Sequence, residues 1–372
     1  MPPIKHAVLS ASSAERWIKC PPSALPNATV EDKGSVYAEE GTAAHALCEA
    51  KILRALGMSD EPEPHDETYY NKEMEECAEG YKNFVLDECA KATSPEIFIE
   101  QRLDFSEYVP DGFGTGDCVI ISEDSLHIID FKYGKGVEVN AENNAQLMCY
   151  ALGALAIFSD LYEINDVILT IYQPRKSHID TWGISREALI DWATSVLAPQ
   201  AQLASKGEGE YCAGEHCRFC KIKATCRARA EYNLELAKYD FKMPAELTHQ
   251  EVEIILDKAA QTKAWLDDIE AWALDQALAG TAFERYKVVE GRSNRKYTDE
   301  QMVEELILAA GFDPYKPKEI KGITDMEKTV GKKKLTELIG EYIHKPKGKP
   351  VLVPITDKRP CYISDAAEDF KD

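Results

Sequence analysis

Two aspartates and a lysine stand in a pattern that suits metal-assisted hydrolysis of a phosphodiester. Asp117 opens one short β-type run, and Asp130 and Lys132 close the next. Alternate side chains of a strand share a face, so Asp130 and Lys132 point the same way, and a hairpin would bring Asp117 beside Asp130. Carboxylates supply the hard oxygen ligands that Mg²⁺ prefers, and a lysine can orient the attacking water or stabilise the transition state. The alternative interpretation is a surface Asp–Lys pair at a strand end.

Two predicted helices add polar residues at helical spacing. Gln146 and Tyr150 are four residues apart, as are His45 and Glu49, so each pair lies on one helix face. Taken singly, Tyr150 also fits a core position, and His45 fits a buried, hydrogen-bonded histidine. The order His, Asp, D-x-K and Q-x-x-x-Y along one chain is harder to obtain by chance, and it favours a common site.

Helices and short strands must position these residues. Apolar periodicity predicts helices over 43–56, 71–93, 142–158 and 186–203, the first with Thr42 as its N-cap. Runs of β-type residues predict strands over 96–103, 116–122, 126–132 and 166–172, with a hairpin turn at 123–125. This order predicts an α/β core with a mixed central sheet flanked by helices. Further along, 231–278 is predicted to be helical, 282–297 a β ribbon and 325–339 a short helix.

The composition favours a folded, soluble chain of two or three domains. Of its 372 residues, 44% are hydrophobic and 29% charged, which is typical of a globular protein. We expect domains at 1–230, 231–311 and 312–372, the last of them rich in lysine and proline. Neither a membrane-spanning run nor a signal peptide is evident, so we expect a cytoplasmic protein with no membrane partner.

The net charge of -22 argues against a chain that binds nucleic acid over its whole surface. A bound divalent metal would reverse the local field around a carboxylate cluster. The charge is also uneven, because residues 312–360 contain 12 Lys/Arg against 7 Asp/Glu. Lys332, Lys333 and Lys334 are therefore candidate DNA contacts. A solvated basic face is an equal alternative.

Four of the eleven cysteines fall within fifteen residues. Cys217, Cys220 and Cys226 form a C-x2-C-x5-C pattern, in which two thiolates can reach one metal centre. A fourth ligand is needed: Cys212 is the local candidate, Cys20 the distant one, and His216 a weaker one. Spacing alone favours Cys212 and a Zn²⁺ site.

These motifs resemble the RecB/AddB-type branch of the PD-(D/E)XK nucleases, which includes CRISPR-associated exonucleases with iron–sulfur clusters. The matching segments are 41–45 (GTAAH), 116–117 (GD), 130–132 (DFK) and 146–150 (QLMCY), within a region of roughly 20–226. Glycine, rather than the proline of the superfamily name, precedes Asp117, as is familiar in this branch. The whole chain also resembles a phage and prophage family of unknown function, through 10–23 (SASSAERWIKCPPS) and 345–350 (KPKGKP).

The resemblance implies a restriction-endonuclease-like α/β core with a mainly helical C-terminal extension. It implies that His45, Asp117 and Asp130 hold Mg²⁺ or Mn²⁺, that Lys132 is catalytic, and that Gln146 and Tyr150 shape the site or contact DNA. Nucleases of this group have one early cysteine and three late ones. The resemblance therefore implies a [4Fe-4S] cluster on four cysteines, namely Cys20, Cys217, Cys220 and Cys226.

We therefore expect a DNA nuclease, an exonuclease of phage recombination or replication, acting in the cytoplasm of a bacterial host. Its expected partners are DNA and phage recombination or replication proteins. The alternatives are a catalytically silent DNA-binding or assembly protein that keeps the fold, and a structural protein stabilised by zinc.

Overall fold

The computed structural model describes residues 7–31, 34–236, 247–289, 301–302, 308, 322–339 and 342–343. The chain divides into two compact units, Met1–Val289 and Glu290–Asp372. The domain boundaries expected near 230 and 311 stay predictions. Among the described helices, none has both the length and the apolar character needed to cross a bilayer.

Five strands form one mixed sheet, which confirms the predicted α/β arrangement. The strands are β1 (Glu96–Asp104), β2 (Phe113–Ile121), β3 (Ser125–Phe131), β4 (Asp166–Gln173) and β5 (His178–Ser185), in spatial order β1-β2-β3-β4-β5. Neighbours are antiparallel except for β3 and β4, which are parallel. Between those two strands the chain forms α5 (Ala145–Phe158), the crossover helix that a parallel pair requires. Strand β5, whose residues alternate between half-buried and exposed, was not predicted from the sequence.

Helices cover both faces of the sheet. On one face, α3 (Val36–Ala55) and α4 (Lys72–Lys91) pack against Ile129 and Phe131. On the other, the core includes residues of α5, α6 (Arg186–Trp192) and α7 (Ala198–Lys206) packed with Val119 and Ile128. A π-helical turn, Ala193–Leu197, joins α6 to α7. The candidate site residues lie at the middle of β2 and the end of β3.

The N-terminal segment contributes two short helices that the sequence analysis did not predict. These are α1 (Ala14–Lys19) and α2 (Ala24–Thr29), each six residues long, which is too short for a periodic signal. Trp17 of α1 is fully buried, and its indole N–H donates to Ser10 O at 3.1 Å. The segment is therefore part of the core.

Two details of the helices correct the predictions. Helix α3 begins at Val36, where Ser35 accepts a hydrogen bond from the Ala38 N–H, so Thr42 is not an N-cap. Thr42 instead donates to Ala38 O inside the helix. The helix predicted at 325–339 is two helices, α10 (Ile323–Val330) and α11 (Lys332–Ile339), separated at Gly331 with φ +88°.

The remaining helices follow the cysteine segment. They are α8 (Arg227–Leu234) and α9 (His249–Leu278), the latter beginning at a capping box between Thr248 and Glu251. Residues 237–246, within the helical stretch predicted over 231–278, lie outside the described residues. Of the predicted ribbon, residues 282–289 form no strand, and 290–297 lie outside the described residues.

Candidate active site

The β2–β3 hairpin places Asp117 beside Asp130. Cys118 pairs with Ile129 in the antiparallel register, so the two aspartates meet one position further along. Asp117 Oδ2 accepts a hydrogen bond from the Phe131 N–H at 2.7 Å. The predicted approach of the two aspartates is therefore confirmed. Asp117 lies in the middle of β2, however, and not at its start.

Lys132, Gln146 and Tyr150 form a connected network with Asp130. Lys132 Nζ lies 2.8 Å from Asp130 Oδ2 and donates to Gln146 Oε1 at 3.1 Å. Gln146 Nε2 lies 3.1 Å from Asp130 Oδ1 and 3.0 Å from the Tyr150 hydroxyl. Asp130 Oδ2 is buried, and Lys132 is its ion-pair partner. A carboxylate oxygen with one such partner keeps a lone pair for a metal ion.

Helix α3 brings His45 to the same place from the other layer. His45 Nδ1 lies 3.3 Å from Asp117 Oδ1. The imidazole packs edge-on against Phe131, with ring centroids 5.3 Å apart. Because Phe131 points away from Asp130 and Lys132, it supports the histidine without occupying the polar side of the site.

Glu100 is the site residue that the sequence analysis missed. One ligand atom each from His45, Glu100 and Asp117 lie within 4.8 Å of one another, close enough to share a metal ion. The β1–β2 register places Glu100 across from Asp117, since Ile99 pairs with Cys118 and Gln101 with Gly116. The available signal was a single carboxylate in the apolar run IFIEQ of a predicted strand.

The backbone at Glu100 is left-handed, with φ +48°. Non-glycine residues adopt this conformation at a cost and are concentrated at functional sites. The odd-numbered Ile99 packs with the α3–α4 layer, whereas the odd-numbered Leu103 packs with the α5 layer. Odd-numbered residues of a regular strand share one face, so the alternation reverses between these positions, where Glu100 lies.

Burial and ion pairing act against each other in this cluster. Burial alone would lower the pKa of His45, but Asp117 outweighs it and raises that pKa to about 9. Burial likewise opposes the ionised forms of Asp117 and Lys132. The charges of His45 and Lys132 nevertheless lower the pKa of Asp117. Those of Asp130 and Asp117 raise the pKa of Lys132. Burial raises the pKa of Asp130, and burial together with Asp117 raises that of Glu100 to about 7. The site therefore carries crowded negative charge that a divalent cation would relieve.

The loop after Lys132 is held by β4 and β5. The buried Gln173 side chain donates to the carbonyls of Gly134 and Val137 at 2.8 Å each, and accepts from the Val139 N–H at 3.3 Å. Asp180 accepts from the Ala141 N–H at 2.7 Å. These bonds fix the connection between the lysine of β3 and the glutamine of α5.

The cysteines form a second centre at the end of α1. Cys20, Cys217, Cys220 and Cys226 all line one small pocket, together with Cys212. Cys20, Cys217 and Cys220 are buried, whereas Cys212 is exposed. The imidazole of His216 contacts the Cys212 carbonyl through Nε2 at 2.9 Å. The tertiary structure therefore brings the distant cysteine to the three late ones.

N–H groups surround the sulfurs of this centre. Cys20 Sγ accepts from the Cys212 N–H at 3.4 Å, Cys217 Sγ from the Gly214 N–H at 3.4 Å, and Cys220 Sγ from Asn27 Nδ2 at 3.2 Å. Burial raises the pKa of Cys20, although the Cys212 N–H acts to lower it.

A family model matches residues 6–360, nearly the whole chain. The chain belongs to the family described as "Protein of unknown function (DUF2800)". The solved structure titled "Crystal structure of SSO0001" is similar at 15% identity, over 58% of this chain and 96% of that chain, with a TM-score of 0.23. A similarity at that TM-score supports no conclusion about either protein's function.

In this DUF2800 chain, Lys332, Lys333 and Lys334 lie at the start of α11, within the second compact unit. All three are exposed, while Leu335 beside them is buried. The other basic residues of segment 312–360 lie outside the described residues, except Lys328, which belongs to α10. Contact of this lysine run with DNA stays a prediction.

Proposed function

We propose that this protein is a metal-dependent deoxyribonuclease with a core of the PD-(D/E)XK type. The observation that carries the proposal is the meeting of Asp117, Asp130 and Lys132 at one end of the β2–β3 hairpin, bridged to α5 by Gln146. A structural ion pair needs one carboxylate and one cation. This cluster adds a second aspartate, a glutamate and a histidine, at the cost of burying their charges.

The donor set fits Mg²⁺ or Mn²⁺. His45, Glu100 and Asp117 offer one nitrogen and two hard oxygens, and His45 Nδ1 lies 3.3 Å from Asp117 Oδ1. Adjacent ligands of an octahedral ion with bonds of about 2.1 Å are about 3 Å apart. Asp130, whose Oδ2 is paired with Lys132, would complete the set from the side of that lysine. When bound, the ion would supply a water of lowered pKa and neutralise charge on the phosphate.

The residues of the chain have distinct roles in this proposal. Lys132 stays protonated beside Asp130, because the two aspartates raise its pKa, and it faces the position of the phosphate with a positive charge. Gln146 holds the lysine and Asp130 in fixed relation. Tyr150 orients Gln146 through its hydroxyl.

We also propose that Cys20, Cys217, Cys220 and Cys226 hold a [4Fe-4S] cluster that joins the N-terminal segment to the region after the core. The gathering of Cys20 with the three late cysteines around one pocket supports a shared metal centre. The N–H groups aimed at three of the sulfurs would stabilise thiolate ligands. The family resemblance is what favours iron–sulfur over zinc. The role is structural.

The biological setting rests on the family resemblance. We propose an exonuclease acting in the bacterial cytoplasm during phage recombination or replication, with DNA and phage replication proteins as partners. Two other hypotheses, a catalytically silent DNA-binding protein and a zinc-stabilised structural protein, are outcomes of the tests below.

The test is digestion of labelled single- and double-stranded DNA by purified protein with Mg²⁺ or Mn²⁺. Asp130→Asn and Lys132→Ala should each lower the rate by at least about 100-fold. Asp124→Asn, at the exposed far end of the same hairpin, should not change it. DNA left intact in both metals would remove the nuclease function, and retention of DNA without cleavage would favour the silent binding protein.

A further inference from the structure

A cleft of about 1360 Å³ runs beside the cysteine segment. Its walls are the N-terminal segment 10–16, the segment 213–223, and helices α8 and α9. The cleft exceeds the roughly 300–1,000 Å³ of most small-molecule pockets. We propose that it binds a single strand of DNA, with Phe219 as a stacking platform for a base and Arg218 as a contact to phosphate. This inference rests on the proposed nuclease function, whose substrate it specifies.

The cleft adjoins the candidate active site at two points. Val137, in the loop that follows Lys132, lines it. Ser10 and Ser12 also line the cleft. Ala11, which lies between them in the sequence, and Tyr150 of the candidate site are both close to Gly114. In this proposal a strand in the cleft leads toward the carboxylates, which lie outside the cleft lining.

The charge of the cleft differs from that of the chain. Its lining contains five basic side chains (Arg16, Arg218, Lys221, Lys223 and Arg229) against four acidic ones (Glu15, Glu215, Asp267 and Asp268), in a chain of net charge -22. Asp268 forms ion pairs with Lys223 and Arg229, at 2.8 and 2.6 Å. Arg218 is exposed, and no carboxylate of the described residues pairs with it. Its charge is available to a phosphate.

Phe219 supports a single strand over a duplex. The side chain is 72% exposed within the cleft, and the Arg218 guanidinium lies 5.9 Å from its ring centroid. Aromatic rings with a neighbouring arginine stack unpaired bases, whatever the base. In a duplex both faces of each base are already stacked on neighbours, so the ring would have no base to accept.

The N-terminal segment in the lining of the cleft offers hydroxyl groups. Ser10 Oγ lies 3.2 Å from Ser12 Oγ and 3.0 Å from Ser13 Oγ, and all three residues line the cleft. Serine hydroxyls are common donors to phosphate oxygens. The cleft would thus hold the backbone at the serines and a base at Phe219.

The experiment measures DNA binding without cleavage. Full-length Asp130→Asn protein, free of Mg²⁺ and Mn²⁺, is titrated with fluorescent single-stranded DNA of about 16 nucleotides, with the matching duplex and with single-stranded RNA, by fluorescence anisotropy. We expect the single strand to bind at least about 10-fold more tightly than the duplex. Phe219→Ala should weaken single-strand binding by roughly 5- to 100-fold. Arg218→Ala should reduce the slope of log affinity against log salt by about 1.

Controls separate binding from folding. Tyr286→Ala and Lys72→Ala remove an exposed ring and an exposed charge outside the cleft, and should leave affinity unchanged. Since Phe219 lies between two cysteines, Ser12→Glu provides a second test in the N-terminal segment of the lining and should also weaken binding. Melting temperature and visible absorbance report the integrity of each variant.

A preference for duplex DNA or for RNA, or an affinity unaffected by both Phe219→Ala and Ser12→Glu, overturns this inference. It would do so even if the wild-type protein cleaves DNA. Conversely, cleft-dependent single-strand binding by a wild-type protein that cuts nothing would support the cleft while removing the proposed nuclease.

Discussion

Gln146 Nε2 donates a hydrogen bond to Asp130 Oδ1 over 3.1 Å, linking α5 to the end of β3. Because the other end of the same amide accepts from Lys132 Nζ, one side chain sets the separation of a carboxylate and an ammonium. A glutamine serves here because it combines a donor with an acceptor.

Gln146→Ala should lower the rate of DNA hydrolysis by about 10- to 100-fold, the usual effect of losing a residue that orients metal-site groups. Gln146→Glu keeps the size but replaces the donor facing Asp130 with an oxygen, so it should be impaired at least as much. Initial rates at saturating Mg²⁺ measure both. Gln202→Ala, exposed on α7, is the matched control. Full activity in both variants would exclude Gln146 from the site.

Glu100→Gln should weaken Mg²⁺ or Mn²⁺ binding, because it removes one charged oxygen from the set with His45 and Asp117. In metal-free buffer above pH 7, the same change should raise the melting temperature. The reason is that the folded wild-type protein then holds Glu100 ionised, although burial has raised the pKa of this carboxyl to about 7. Metal titration by calorimetry and melting in chelator test the two effects. Glu123→Gln, at the hairpin turn, should show neither, and a metal affinity unaltered by Glu100→Gln would contradict the assignment.

Cys20→Ser should abolish the visible absorbance and most of the iron of anaerobically purified protein, whereas Cys212→Ser should retain both. The reason is that Cys20 is buried in the pocket with the three late cysteines, while Cys212 is exposed at its rim. Loss of the centre should also destabilise the N-terminal segment, as expected when a metal contributes to folding. Colourless wild-type protein containing zinc would overturn the cluster proposal.

His127 should make the protein less stable in mild acid. Burial lowers the pKa of this imidazole to about 4, and its Nε2 lies 2.8 Å from Thr170 Oγ1. The unfolded histidine titrates near 6.5, so between these values the unfolded chain binds a proton that the folded one does not. Stability therefore falls as pH drops from about 6.5 to 4, by at most roughly 3 kcal/mol. Urea unfolding of His127→Gln should show a shallower fall, and parallel curves for the two proteins would refute this.

The predictions made from the sequence succeeded where a local period was enough. Four strands, the β2–β3 hairpin and the helices carrying His45 and Gln146 follow from spacings of two and of three to four residues. Glu100 was missed because its role depends on pairing between β1 and β2 and on a reversed alternation within β1. Strand β5 was missed because an edge strand has no continuous apolar run.

The sequence by itself determined that Asp130 and Lys132 share a face, that Asp117 approaches Asp130, and that Gln146 and Tyr150 lie on one side of a helix. Each is a consequence of strand or helix geometry over a few residues. Only the tertiary structure decided that Glu100 joins His45 and Asp117, and that Cys20 is buried beside cysteines about two hundred positions away. Such contacts depend on how whole elements pack around a common core, and no local spacing encodes that distance.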